Sequence, residues 1–146
     1  MLWMYYLPIM KIKIVKAMDK KQEDSDIVAK IVIVDNENRV LMLTRSDYHK
    51  KYAGELDLPG GHTKHNEPLN KGLKREVKEE TNLDIDKVVF YKTVKNKHYF
   101  YTKYDSQPIK LSNEHVDYAF YAKKDLDPSN KFQKIAIEVL EKIKND

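Results

Sequence analysis

Glu76, Glu79 and Glu80 stand at i, i+3 and i+4, a spacing that puts all of them on one face of an α-helix. Arg75 lies four residues before Glu79, within reach of that carboxylate. Like charges so placed repel by about 0.2–0.5 kcal/mol per pair at a solvated surface. They also crowd the end of the helix, where its dipole disfavours negative charge. A hard divalent cation removes both objections, because magnesium and manganese prefer carboxylate oxygens and keep several waters. The competing use of a KREVKEE segment is a solvated charged face, since Glu and Lys are good helix formers.

The surrounding residues supply the element that holds this face. Pro68 suits a first helical position, where its missing N–H costs nothing. Asn82 suits a left-handed cap at the other end. Between them Leu69, Leu73 and Val77 form an apolar stripe at i, i+4 and i+8. The spacing predicts a helix over Pro68–Thr81, preceded by a loop from His62 to Asn66. Upstream, Leu58-Pro59-Gly60-Gly61 reads as a strand end running into two glycines, a place where the backbone turns sharply and approaches a ligand closely.

Gly61, five residues, Glu67, seven residues, Arg75-Glu76-Val77-Lys78-Glu79-Glu80, Thr81, Asn82 and Leu83 together resemble the signature of the Nudix hydrolases. The one departure is Asn82 in place of the last glycine, and Asn tolerates the left-handed conformation next best. The resemblance implies an α/β/α sandwich with a mixed β-sheet over residues 26–146, with residues 1–25 as an N-terminal extension and first strand. It implies hydrolysis of a nucleoside diphosphate linked to a further group, by water attack on phosphorus, with Mg²⁺ as cofactor and Mn²⁺ as a substitute. Glu76, Glu79 and Glu80 would be the metal ligands, with Glu79 and Glu80 innermost and the carbonyl of Gly60 or Gly61 completing the shell. Arg75 would orient the acids, and Glu67 would organise the loop from behind. The general base would be a signature glutamate or Glu114. The segment Ser112-Asn113-Glu114-His115-Val116-Asp117-Tyr118 resembles one found in diadenosine-polyphosphate hydrolases of the family, and Glu114 there is a base or an outer metal ligand.

The rest of the chain is consistent with such a domain. Its 146 residues are 41% hydrophobic and 34% charged, as in a globular protein with one core. With no cysteine, disulfides and thiolate metal sites are excluded, which is compatible with a cytoplasmic location. The net charge of +4 favours anionic substrates without forming a nucleic-acid footprint, because lysines are interspersed with acids. MLWMYYLPIM is too short to span a bilayer and lacks a basic n-region.

Strands are expected at Lys11–Ala17, Asp26–Val34, Arg39–Thr44, Glu55–Leu58, Asp84–Asn96, Lys97–Tyr104 and Val116–Ala122. The second and third of these form a hairpin. A second helix follows Asp127-Pro128-Ser129-Asn130, with Phe132, Ile135, Ala136, Val139, Leu140 and Ile143 on its apolar face. In the loop Arg45–Gly54, Arg45, Tyr48 and Tyr52 are candidate substrate contacts. His98, Tyr99, Phe100 and Tyr101 are further aromatic candidates for stacking on a base, although in an alternating strand about half must face the core. The partner is expected to be a small nucleotide, and the family commonly forms homodimers. Two alternatives stay open: decapping of an RNA 5′ end, and a nucleotide-sensing module that does not cleave.

Overall fold

The computed structural model describes residues 24–47 and 51–145. The run DIVAKIVIV leaves little room for a solvated face, and a strand of that kind needs cover on both sides. It lies within β1 (Asp24–Val34), which runs parallel to β6 (Lys97–Lys103) from Val28↔Lys97 to Val34↔Lys103. β6 pairs in turn with the edge strand β5 (Val89–Val94). On the other side, β2 (Arg39–Arg45) pairs along its length with β7 (His115–Ala122).

Alternation then sorts the core into two layers. Ile31, Ile33, Leu41, Leu43 and Phe100 meet Leu73 and Val77 of α1 (Leu69–Thr81). Val32, Val34, Val40, Met42 and Tyr99 meet Ile135, Ala136, Val139 and Leu140 of α2 (Lys131–Asn145). The result is the expected mixed sheet between two helices. Asn130 starts α2, its Oδ1 accepting the N–H groups of Phe132 and Gln133 at 3.0 and 3.1 Å.

The hairpin of β1 and β2 is closed at its turn, where Val34 faces Val40, and then opens. Into the opening go β3 (Leu56–Asp57), which adds to β2, and β4 (Gly60–Lys64), which adds to β1. The stretch from His62 to Lys64 is therefore strand, not the expected loop, because the open edge of β1 offers unpaired backbone groups that it satisfies. Pro68 also differs from expectation. It is the N-cap of α1, with φ −57° and ψ 141°, rather than its first helical residue. Residues 84–88, expected to be strand, precede β5, and Gln107 instead bonds both backbone groups of Asp84 at 2.9 Å. Asn82 closes α1 in the left-handed conformation at φ 66°. The expected strand Lys11–Ala17 and the extension to residue 23 lie outside the described residues. Among the described residues no helix is long and apolar enough to cross a membrane.

Gly60 sits where β4 crosses β1, at φ +118°, and a Cβ there would lie 2.1 Å from the Ala29 carbonyl oxygen. Gly54 also has positive φ, +81°, but open space around it. Gly54→Ala therefore meets only backbone strain, of about 1–2 kcal/mol. Gly60→Ala adds a backbone clash and is expected to cost at least ~2 kcal/mol more in urea denaturation. Equal losses for the two variants would refute this placement of β4.

Candidate active site

Alternation along β1 turns Lys30 to the same face as Val32 and Val34, and it is 6% exposed. A buried ammonium persists only with partners. Lys30 Nζ donates to Asp57 Oδ1 at 2.9 Å, to the Leu58 carbonyl at 3.0 Å and to the Gly60 carbonyl at 2.9 Å. The other oxygen of Asp57 accepts from Arg45 Nη1 at 3.1 Å and is hydrogen-bonded to His115 Nε2 at 3.0 Å. Burial by itself would raise the Asp57 carboxyl. The charge of Lys30 and the hydrogen bonds from His115 and Lys30 outweigh it and hold Asp57 well below the usual carboxylate range.

α1 is tied to the neighbouring loop by its arginine. Arg75 forks onto Glu67, with Nε to Oε2 at 2.8 Å and Nη2 to Oε1 at 3.0 Å. Glu67 Oε1 also accepts the Lys64 N–H at 2.9 Å. The remaining nitrogen of Arg75, Nη1, reaches Glu76 Oε1 and Glu79 Oε1, both at 3.1 Å. The hydrogen bond with Glu67 is the main reason Arg75 is raised and Glu67 is lowered from their ordinary values.

The glycines admit carboxylates to the backbone. The Gly60 N–H donates to Glu80 Oε2 at 3.1 Å, and a Cβ on Gly61 would lie 2.9 Å from Glu76 Oε2. Glu80 is 4% exposed. Burial pushes its carboxyl well up, Lys30 opposes this, and Asp57 adds to it. Glu76 is raised too, by burial first; Arg75 offsets part of that, and the charges of Glu79 and Glu114 add to the rise.

Glu114 arrives on the loop that leads into β7. The loop that carries it docks on the end of α1, through Lys110 N–H to the Thr81 carbonyl at 3.0 Å and Ser112 N–H to the Glu80 carbonyl at 3.1 Å. These are among the last carbonyls of the helix, which lack partners within it. Ser46 holds the same loop to the end of β2, its N–H donating to the Glu114 carbonyl and its Oγ to the Asn113 carbonyl.

These elements enclose a cavity of about 480 Å³, within the range of small-molecule sites. Of the residues singled out in the sequence, Gly60, Gly61, Glu76, Glu80, Glu114, Arg45 and Tyr52 line it. Glu79 does not; its side chain is 57% exposed and held by Arg75. Arg75 and Glu67 also stand outside the lining. Tyr48 lies outside the described residues. Tyr99 and Phe100 are buried in opposite core layers, and Tyr101 packs against the layer of α2. His98 bonds Thr93 at 2.7 Å.

Lys30, Asp57, Lys97 and Lys131 also line the cavity, and sequence reasoning missed them. A lysine inside DIVAKIVIV and an aspartate inside LDLPG were the available signals, each a charge in an apolar setting.

Among the described residues no group of three or more His, Asp or Glu side chains is positioned to hold a metal ion as they stand. The donor chemistry nevertheless fits a hard cation. The groups at the cavity are carboxylate and carbonyl oxygens, and two of the carboxylates are buried against like charge.

A mixed sheet between two helices, with an acidic cavity beside a glycine-led helix, defines the class of fold. Solved structures share it. A MutT protein from Methanosarcina mazei matches with a TM-score of 0.62 and 24% identity, over 82% of this chain and 95% of that one. A C. elegans Ap4A hydrolase matches at 0.58 and 21%, over 81% and 94%. The NUDIX domain of Shewanella oneidensis NrtR, solved with ADP ribose, matches at 0.68 and 15%, over 80% and 87%. No curated relative matches at the sequence level. The NUDIX domain itself matches over residues 25–140. The chain belongs to the NUDIX family, and with the signature complete but for Asn82 it is a Nudix hydrolase.

Asp57→Asn leaves Lys30 buried without its counter-charge, and the loss of stability expected at pH 7 is ~3–5 kcal/mol in urea denaturation. The folded Asp57 carboxyl is depressed, so its contribution is present above the unfolded value, about pH 4, and fades as pH falls through that region. The variant's deficit should therefore shrink on acidification. A deficit that stays constant from pH 7 to pH 3 would refute the pairing.

Proposed function

We propose that the protein is a metal-dependent pyrophosphohydrolase that cleaves a nucleoside diphosphate linked to a further moiety. The observation that carries this is the convergence of Glu76, Glu80 and Glu114 on one cavity from two separate parts of the chain. Glu76, Glu79 and Glu80, with the Gly60 carbonyl, are the proposed ligands for Mg²⁺, for which Mn²⁺ can substitute. When bound, such an ion neutralises phosphate oxygens and makes a bound water more acidic. The chain's own residues then do the rest. Arg75 keeps Glu67, Glu76 and Glu79 oriented while no cation is there to offset their repulsion. Glu114 accepts the proton of the attacking water at a carboxylate oxygen, or acts as an outer metal ligand. As the water oxygen bonds to phosphorus, the bridging P–O bond of the anhydride breaks and the electron pair leaves with the departing phosphate.

The substrate class includes dinucleoside polyphosphates, nucleotide sugars, ADP-ribose and modified nucleoside triphosphates. The segment around Glu114 and the likeness to an Ap4A hydrolase support the first. We place the enzyme in the cytoplasm, acting on small nucleotides, with a homodimer as the assembly to test. A panel of these substrates and capped RNA, run with Mg²⁺, Mn²⁺ and chelator, tests the reading. Metal-dependent release of a nucleoside monophosphate supports it. Tight binding without turnover would overturn it in favour of a sensing module.

Two variants probe the roles. Glu80→Gln keeps an acceptor for the Gly60 N–H but removes a ligand charge, so turnover is expected to fall at least about a hundredfold. Metal-free stability should not fall, because a buried carboxylate beside Asp57 and Glu76 is replaced by a neutral group. Near-normal turnover would remove Glu80 from the metal site. Glu114→Gln is expected to lower the rate at neutral pH and change the pH profile. An unchanged profile would return the base to the signature helix.

A further inference from the structure

The cavity holds a second set of charges with no counterpart. Lys97 opens β6 and Lys131 opens α2, and both line the cavity. The other cations there, Lys30 and Arg45, each form an ion pair with Asp57. Lys97 and Lys131 make no ion pair among the described residues. Burial, followed by the charges of Lys131, Lys30 and Lys95, holds the Lys97 ammonium below its ordinary range, with no carboxylate opposing them.

Lys131 stays at the wall through its aromatic neighbours. Its Nζ lies 4.9 Å from the Phe132 ring centroid and 5.9 Å from that of Tyr52. The Phe132 ring also carries the Lys30 ammonium at 5.2 Å. An aromatic ring that already bears two ammonium contacts is a poor platform for a nucleobase. Two uncompensated ammonium groups suit a multiply charged tetrahedral anion, which offers each of them acceptor oxygens. The carboxylates of α1 and the Glu114 loop make the rest of the cavity unfavourable to such an anion unless a cation intervenes.

We propose that Lys97 and Lys131 form a subsite for a phosphate of the substrate beyond the anhydride that is cleaved. The substrate class is then a nucleoside or dinucleoside polyphosphate rather than a diphosphate ending in an uncharged sugar. This rests on the hydrolase reading above and narrows its substrate.

Titration calorimetry of inorganic tripolyphosphate into the full chain, with no divalent metal present, tests the subsite without turnover. The doubly substituted Lys97→Gln, Lys131→Gln protein is expected to bind about tenfold or more weakly. The corresponding double Arg variant should retain binding, and Lys124→Gln, an exposed charge outside the cavity, should match the wild type. Wild-type protein that fails to bind, or a double Gln variant that binds as the wild type does, overturns the proposal. A second arm compares kcat/KM for a dinucleoside tetraphosphate and for ADP-ribose with Mg²⁺. The double Gln variant should lose about tenfold more on the tetraphosphate, through KM. Equal losses on both would overturn it as well. If wild-type protein turns over neither, the wider substrate panel decides the hydrolase reading, and the calorimetry still decides the subsite.

Discussion

A buried ion pair holds the working part of the molecule together. Lys30 and Asp57 lie on strands β1 and β3, which are not paired with each other. They meet because the β1–β2 hairpin opens and the glycine segment fills the gap. Bringing both charges out of water costs several kcal/mol per ion, and only good geometry with full hydrogen bonding offsets it. Lys30 has that, since its ammonium spends all its donors on Asp57 and the carbonyls of Leu58 and Gly60. The pair thereby dictates where the backbone passes from β3 into β4. Arg45 and His115, on two further strands, converge on the same carboxylate. One aspartate thus ties β1, β2, β3 and β7 at the cavity floor.

The same device reaches the acidic helix. Gly60, whose carbonyl Lys30 holds, uses its N–H to hold Glu80. At the opposite corner Arg75 gathers Glu67, Glu76 and Glu79. The helix therefore carries its crowded negative charge by two means, burial against a peptide N–H and pairing with an internal cation. Its last carbonyls, unpaired by the helix itself, serve as the dock for the loop that brings in Glu114. Groups left over from helix geometry become the means of assembling the site.

Charge within the cavity is divided by element. α1 and the loop before β7 contribute carboxylates, whereas the first residues of β6 and α2 contribute lysines. A site of this kind suits a ligand that brings both a cation and phosphate groups, each meeting charge of opposite sign.

The fold was largely legible from the chain, because it follows from local rules. The apolar runs around Ile31 and Leu41 dictate buried strands, and the stripes through Leu73 and Val139 dictate the helices. The spacing of Glu76, Glu79 and Glu80 dictates one acidic helix face, whatever the rest of the protein does. What needed the tertiary structure were the contacts made between distant segments. His62–Lys64 became strand because an edge of β1 was open beside it. Lys30 found Asp57, and Lys97 and Lys131 came to line one cavity, across distances that no periodicity encodes. Glu79, equal to Glu80 in sequence, turned outward to Arg75 while Glu80 turned inward to Gly60. Residue spacing sets which side chains share a helix face, but the neighbours packed against that face decide which of them is buried.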